Sequence, residues 1–365
     1  MIQLRERTPT LRLPSASRLH ARVEYFNEMR WEIVKLSTVL KRILVSLFNI
    51  IVVVTITFFL LRLTPGDVVE NMAVKLAKEQ NLTMDVARMR VAYILNYDPN
   101  VPVMEQFGDY VNNILHGSLG NSMQYQDTSV LSIIADSFPW TLLVVTIALV
   151  LSFAVGCNLG ALMAWRRKTI LDPIITALYV FVSSIPYYMW PLILIVVFCI
   201  KLGLFPVAGK YSIMVDPGFN LDFILSVLYY AAMPIACVFI STVFNWTMNM
   251  RASAIGVLGE DYITAAYARS VPEKRIRKYY LKKNAMLPLI TSFAATFGTY
   301  MGGAIFIETF FKYYGIGYYM GNALAFRDFT LMQGILIVSS TATIIALLVA
   351  DLIYSVLDPR VRTEG

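Results

Sequence analysis

The chain has 365 residues, of which 57% are apolar and 15% charged, whereas ordinary soluble domains carry about 25% charged residues. With a mean hydropathy of +0.61, there is more apolar surface than one water-excluded core can hide, so lipid must cover part of it, which argues against a soluble enzyme. The net charge of +7, from 31 Lys and Arg against 24 Asp and Glu, would suggest nucleic acid in a soluble chain, but here it is sorted by membrane side.

Residues 1–42 form a charged tail. Leu19, Val23, Phe26, Met29, Ile33 and Leu36 recur at three- and four-residue spacing and make one stripe of an amphipathic helix, suited to the inner membrane surface or to a partner subunit. Residues 1 to about 15 read as disordered. A crossing helix needs about 20 apolar residues, and six stretches qualify: 43–61, 140–164, 173–200, 223–248, 285–307 and 331–355. The first reads as a retained span, because the charged tail precedes it and no small-residue cleavage site follows before Arg62-Leu63-Thr64-Pro65-Gly66-Asp67.

Six spans put both termini on one side, and Lys and Arg mark the cytoplasmic one. The tail through Arg42 holds nine, residues 165–172 three, residues 249–284 eight and the C-terminus two, together 22 of 31. Both termini are therefore expected in the cytoplasm, leaving residues 62–139 outside as a long loop. Within it, Val69, Met72, Val74, Leu76, Val86, Met89 and Leu95 predict helices and a small external cap, suited either to receiving a partner or to packing over the span ends.

The spans hold few chemical groups. Cys157, Cys199 and Cys237 lie in apolar stretches and read as small buried hydrophobes; with only His20 and His116 there is no basis for a metal centre or a Ser-His-Asp triad. No catalytic residue, metal ligand or cofactor-binding residue is assigned. Span centres lack carboxylates: Asp351 sits near the inner end of the last span and Glu308 just past the outer end of the fifth, which argues against proton or sodium coupling. Pro186, Pro191 and Pro234 predict bends or packing kinks, and Gly156 and Gly160 allow close helix approach. Tyr187, Tyr188 and Trp190 suit interfacial anchoring or the lining of a broad solute path.

Residues 249–284 read as helix, turn, helix. Glu260 and Asp261 suit the positive end of a helix through Ala265, Ala266 and Ala268. Ser270 with Glu273 predicts a capping box that opens a second, basic helix, with Pro272 in its first turn. By charge alone this is an ordinary positive-inside loop. Its detail, however, closely resembles the signature loop of binding-protein-dependent ABC importer permeases, Glu-Ala-Ala followed after three residues by Gly. Thr264, Ala265 and Ala266 occupy the Glu-Ala-Ala places, Ser270 the Gly place, and Leu287-Pro288 the later Leu-Pro. The interval from Ser270 to Pro288 resembles the oligopeptide/dipeptide branch, and the match over most of the chain from about residue 40 resembles its B-type membrane subunit. Supporting motifs are residues 62–67, Gly117 to Ser122, Ser184-Ile185-Pro186, Gly315-Ile316-Gly317, Arg327-Asp328, Gln333-Gly334 and Asp358-Pro359-Arg360.

The resemblance implies an all-α integral membrane permease with six transmembrane helices in the cell membrane of a prokaryote. Its loop, Asp261, Tyr262, Ala265, Ala266, Ser270, Val271, Pro272, Glu273, Lys274, Arg275 and Arg277, is implied to dock on a cytoplasmic ATPase. The chain itself has no phosphate-cradling Gly-x-x-x-x-Gly-Lys-Ser/Thr, so ATP and Mg are expected on two partner ATPase subunits. A second homologous permease subunit and an external solute-binding protein complete the implied importer. Oligopeptides or dipeptides are the implied cargo, with oligosaccharides or metal chelates as alternatives; an ion-coupled carrier and a non-transporting scaffold are the remaining rivals.

Overall fold

In a membrane only structures that pair every backbone amide within the protein are tolerated, which makes long apolar runs helical. The computed structural model describes residues 36–63, 68–95, 102–122, 124–125, 128–167, 169–301 and 304–357, and among them the only pairing of strand type is an isolated bridge between Asn121 and Ser129. The predicted tail helix, the Thr64 to Asp67 part of the first motif and the Asp358-Pro359-Arg360 motif lie outside the described residues.

The helices are α1 (Leu36–Leu63), α2 (Val68–Gln80), α3 (Met84–Leu95), α4 (Val103–Leu115), α5 (Val130–Trp165), α6 (Leu171–Ser184), α7 (Met189–Lys201), α8 (Leu221–Leu258) and α9 (Asp261–Ala268). A single turn, Glu273–Arg275, then runs through the π-helical stretch Ile276–Lys282 into α10 (Lys283–Met301), followed by α11 (Ile305–Phe310), α12 (Ile316–Phe326) and α13 (Phe329–Leu357). By length and composition α1, α5, α8 and α13 can cross a membrane, and α6 with α7 makes a fifth candidate, bent by 100°.

Two predicted spans are corrected. The 173–200 stretch is not one rod: Ile185 turns extended, with ψ 118°, before Pro186, because a residue preceding proline is pushed out of the helical region. The 285–307 stretch ends early: α10 stops at Met301, and Ala304, with φ −73° and ψ 62°, separates it from α11.

The core forms where α5 and α8 pack side by side. Gly156 and Gly160 make this possible. A Cβ on Gly156 would lie 2.6 Å from Trp246 Cβ, and one on Gly160 would lie 2.8 Å from Met250 Cβ and 2.9 Å from the Arg251 amide nitrogen. The glycine pair is thus an intramolecular helix contact. Around it Val144, Val145, Leu149, Leu194, Met233, Val238, Met301 and Ile307 make one cluster, and Trp246, Met250, Leu281 and Leu289 another nearer the α9 end. All three cysteines are free and buried, as expected of small hydrophobes.

The predicted cap helices form as α2 and α3. Asn81, with φ +53°, closes the turn between them, and Met72, Ala73, Leu76, Ala87 and Val91 pack between them and against Phe329. Lys75 Nζ donates to the Phe326 carbonyl at 2.6 Å and lies over that ring at 4.8 Å. The cap therefore packs over the junction of α12 and α13.

Candidate functional site

The loop singled out in the sequence folds as a short helix, a tight turn and a basic helical stretch packed on one another. In α9, Ile263 and Ala266 are buried against Ile276, with Trp165, Val257, Val271 and Tyr280 around them. Asp261, Thr264, Ala265, Tyr267 and Ala268 remain exposed. The two signature alanines thus lie on different faces, Ala266 small because a neighbouring helix crowds it and Ala265 presenting a low surface to solvent.

The turn after α9 differs from the expected capping box. Ser270 has φ +55°; its N–H donates to the Tyr267 carbonyl at 2.9 Å and the Val271 N–H donates to the Ala266 carbonyl at 3.1 Å. This is the paired C-terminal closure of a helix, with its left-handed residue at the place glycine usually takes and Val271 packed back on the last turn. Ser270 ends the first helix; Pro272, without a side-chain cap, precedes the next turn. Ser and Glu at capping-box spacing satisfy the pattern whatever the backbone does, so the pattern does not say which helix Ser270 belongs to.

Three polar contacts join the helices around this loop. Arg251 makes a bidentate pair with Asp172, Nε to Oδ1 at 2.7 Å and Nη2 to Oδ2 at 2.8 Å, joining α8 to the first turn of α6. Ser253 Oγ donates to the Ala285 carbonyl at 2.8 Å, joining α8 to α10, and Asn284 Nδ2 donates to Tyr262 Oη at 3.2 Å. Only the last of these involves α9 itself, linking it to α10; the other two hold α8 to α6 and to α10. Glu273, Lys274 and Arg275 are exposed and Arg277 is half-buried, but they do not form one patch: Arg275 lines a concavity with Tyr279 and Tyr280, while Lys274 and Arg277 line a different one.

The aromatic trio separates. Trp190 is buried in the main core, whereas Tyr187 and Tyr188 stand exposed at the bend, each in edge or tilted contact with Phe306 of α11.

The other end of the bundle holds an arrangement not foreseen as a site. Thr141 Oγ1 of α5 donates to Glu308 Oε1 at 2.8 Å and accepts the Ile316 N–H at 2.8 Å, while Gly317 and Tyr318 N–H groups donate to Glu308 Oε2 at 2.7 and 3.2 Å. The first three amides of α12 are thereby satisfied inside protein. Glu308 is fully buried and, in α11, lies beyond the end of α10; burial pushes its carboxyl up to about 7, against hydrogen bonds from Thr141, Tyr318 and Gly317 that pull it down. Gly315 and Gly317 are small for this reason: a Cβ on Gly315 would strike the Glu308 carboxylate and the Thr141 hydroxyl, and one on Gly317 would lie 3.0 Å from Glu308 Oε2. Asp328 does the same for α13, accepting from the Leu331 N–H at 3.0 Å, the Gln124 N–H at 3.2 Å and the Ser122 hydroxyl. Two distant motifs, at Ser122 and Asp328, are thus halves of one joint. Gln333 adds a hydrogen bond to Tyr110 at 2.6 Å.

Comparison with known proteins gives this architecture its relatives. The family described as binding-protein-dependent transport system inner membrane component matches residues 156–363, which include α9 and the Ser270 turn. The chain is 30% identical over 346 residues to the dipeptide transport system permease protein DppB of Escherichia coli K12, covering 90% of this chain and 99% of that one. It is 29% identical over 328 residues to the di/tripeptide transport system permease protein DppB of Pseudomonas aeruginosa, covering 86% and 94%. To the oligopeptide transport system permease protein AppB of Bacillus subtilis it is 26% identical over 324 residues, covering 89% and 98%. With more than half its length matched and its α9 loop folded as a braced unit at one end of the bundle, the chain belongs to the inner membrane permease components of binding-protein-dependent ABC transport systems.

Proposed function

We propose that the chain forms half of the path of an ATP-driven importer for oligopeptides or dipeptides, paired with a second permease of the same family. The cargo reading rests on the relatives, which are named as dipeptide, di/tripeptide and oligopeptide permeases. In this reading six segments cross the cell membrane, both termini are cytoplasmic and α2 to α4 cap the outer face, where a solute-binding protein delivers cargo. The chain performs no bond chemistry itself; two ATPase subunits bind ATP and Mg. The observation that carries the reading is the α9 loop: a short helix with one face packed through Ile263 and Ala266 and the other exposed, with Tyr262 held by Asn284 of α10. Such a helix transmits a push without deforming.

The test is co-purification and uptake. Ala265→Arg changes only the exposed face of α9, so the chain should fold while retention of ATPase subunits and uptake of a labelled dipeptide each fall by about tenfold or more, the size of a hot-spot loss. Ala266→Arg should instead prevent folding, since its site is buried. If Ala265→Arg keeps its ATPases and its uptake, α9 is not the coupling element.

A further inference from the structure

Beyond the transport reading, the molecule contains a cationic cleft whose basic residues form no ion pair among the described residues. It has a volume of about 510 Å³ and is lined on one side by Asn158, Ala161 and Leu162 of α5, and on the other by Lys274, Arg277, Lys278 and Lys282. Lys274, Lys278 and Lys282 are spaced four apart, an arrangement in which like charges on one helix face repel. Lys282 Nζ donates to Asn158 Oδ1 at 2.7 Å, which draws that ammonium into the cleft. Among the described residues none of the four cations forms an ion pair, the paired carboxylates being Glu70, Asp85 and Asp172. Four cations around one concavity raise the local potential, and a bound anion would relieve it.

The position of the cleft narrows the choice of anion. Asn158, Ala161 and Leu162 lie in the last two turns of α5, which ends at Trp165, so the cleft opens where a spanning helix leaves the hydrocarbon. The floor from Ala161 and Leu162 is apolar and the rim is basic. An amphiphile with a phosphate head matches both halves, since basic pockets between spanning helices at a membrane surface take anionic headgroups. Free phosphate would use the rim alone.

We propose that this cleft binds the phosphate headgroup of an anionic phospholipid and that the bound lipid wedges α5 against the π-helical stretch leading into α10. The π-helical register over Ile276–Lys282, a feature frequent at functional sites, carries Arg277, Lys278 and Lys282 on the wall facing α5. The proposal does not depend on the cargo; the cleft shares Lys274 and Arg277 with the loop expected to dock on an ATPase, whereas Lys278 and Lys282 lie outside that set, and the end of α5 must lie at a membrane surface.

The experiment uses the full chain, with whatever subunits accompany it, transferred to nanodiscs of phosphatidylcholine alone or with phosphatidylglycerol. Thermal unfolding and retained lipid are both read, with inorganic phosphate added to the phosphatidylcholine discs as a separate arm. Phosphatidylglycerol should raise the midpoint and be retained on delipidation, and Lys278→Gln with Lys282→Gln should each weaken retention by about fivefold, as expected for the loss of one surface charge near anionic lipid. Lys278→Arg with Lys282→Arg should keep the lipid, which separates charge loss from misfolding. Stabilisation by inorganic phosphate equal to that by the lipid would overturn the lipid assignment. So would equal retention by native chain and Gln variants, or loss of protein partners with lipid retention unchanged, which would make the cleft a protein contact.

Discussion

Two helix ends in this molecule solve the same problem by opposite means. At Ser270 the last carbonyls of α9 are closed by backbone alone, on an exposed turn. At Glu308 the first amides of α12 are met by a buried carboxylate from another helix, with a threonine hydroxyl of α5 as a third member. The difference follows from water. An exposed turn can leave an imperfect backbone conformation to solvent, whereas a dry helix end must find each partner within the protein, since an unmet buried polar group costs about 1–3 kcal/mol.

That contrast predicts unequal consequences of mutation. Glu308→Ala orphans the Gly317 and Tyr318 amides and the Thr141 hydroxyl together, and should cost on the order of 3–5 kcal/mol, read as a large fall in Tm of the detergent-solubilised chain. An unchanged Tm would show that water reaches this helix end. A step smaller is the pH effect. Because burial raises the folded carboxyl of Glu308 from 4.5 to about 7, the folded state holds the proton more tightly than the unfolded one. Its contribution to stability is fully present below about 4.5 and is lost as pH rises through about 7, on the order of 3 kcal/mol across that window. Melts taken at pH 5 and pH 8 should show the decline, and Glu308→Gln, which cannot titrate, should remove it. A decline that persists in Glu308→Gln would assign the titration elsewhere. The smallest effect belongs to the exposed turn: Ser270→Gly relieves the left-handed backbone and should stabilise by about 1 kcal/mol, a rise of a few degrees in Tm with partner retention unchanged. A fall in stability would mean that the Ser270 side chain does more than occupy the turn.

The same contrast explains which parts of the site could be read from residue order. The α9 loop was legible because it is local: two alanines, a turn residue and a basic helix lie within one stretch of chain, and period and charge are properties of that stretch. The capping-box pattern misleads for the complementary reason, since a Ser-x-x-Glu spacing does not say which side of the serine is helical. Arg251 with Asp172 and Thr141 with Glu308 lie far apart along the chain, and no periodicity connects them. Gly315 and Gly317 were visible as a motif, but their cause, the carboxylate they must clear, was not. Trp190 and Tyr187 are close neighbours in a tract of one composition; a single proline-induced bend sends one into the core and leaves the other outside.

Residue order by itself determined that this chain carries stretches apolar enough to cross a membrane and that its loop after α8 resembles the importer signature, a resemblance to binding-protein-dependent permeases that the family match bears out. The first follows from composition and hydrophobic period and the second from local motifs, which survive whatever the rest of the chain does. Only the tertiary structure decided that the Gly156 and Gly160 pair is an internal contact with α8, that the bend between α6 and α7 reaches 100°, that Glu308 caps α12 and that four basic side chains line a cleft beside the end of α5. Each of these needs two distant segments to meet, and which segments meet is set by the total packing of the bundle, where burial and close backbone approach outweigh any local preference.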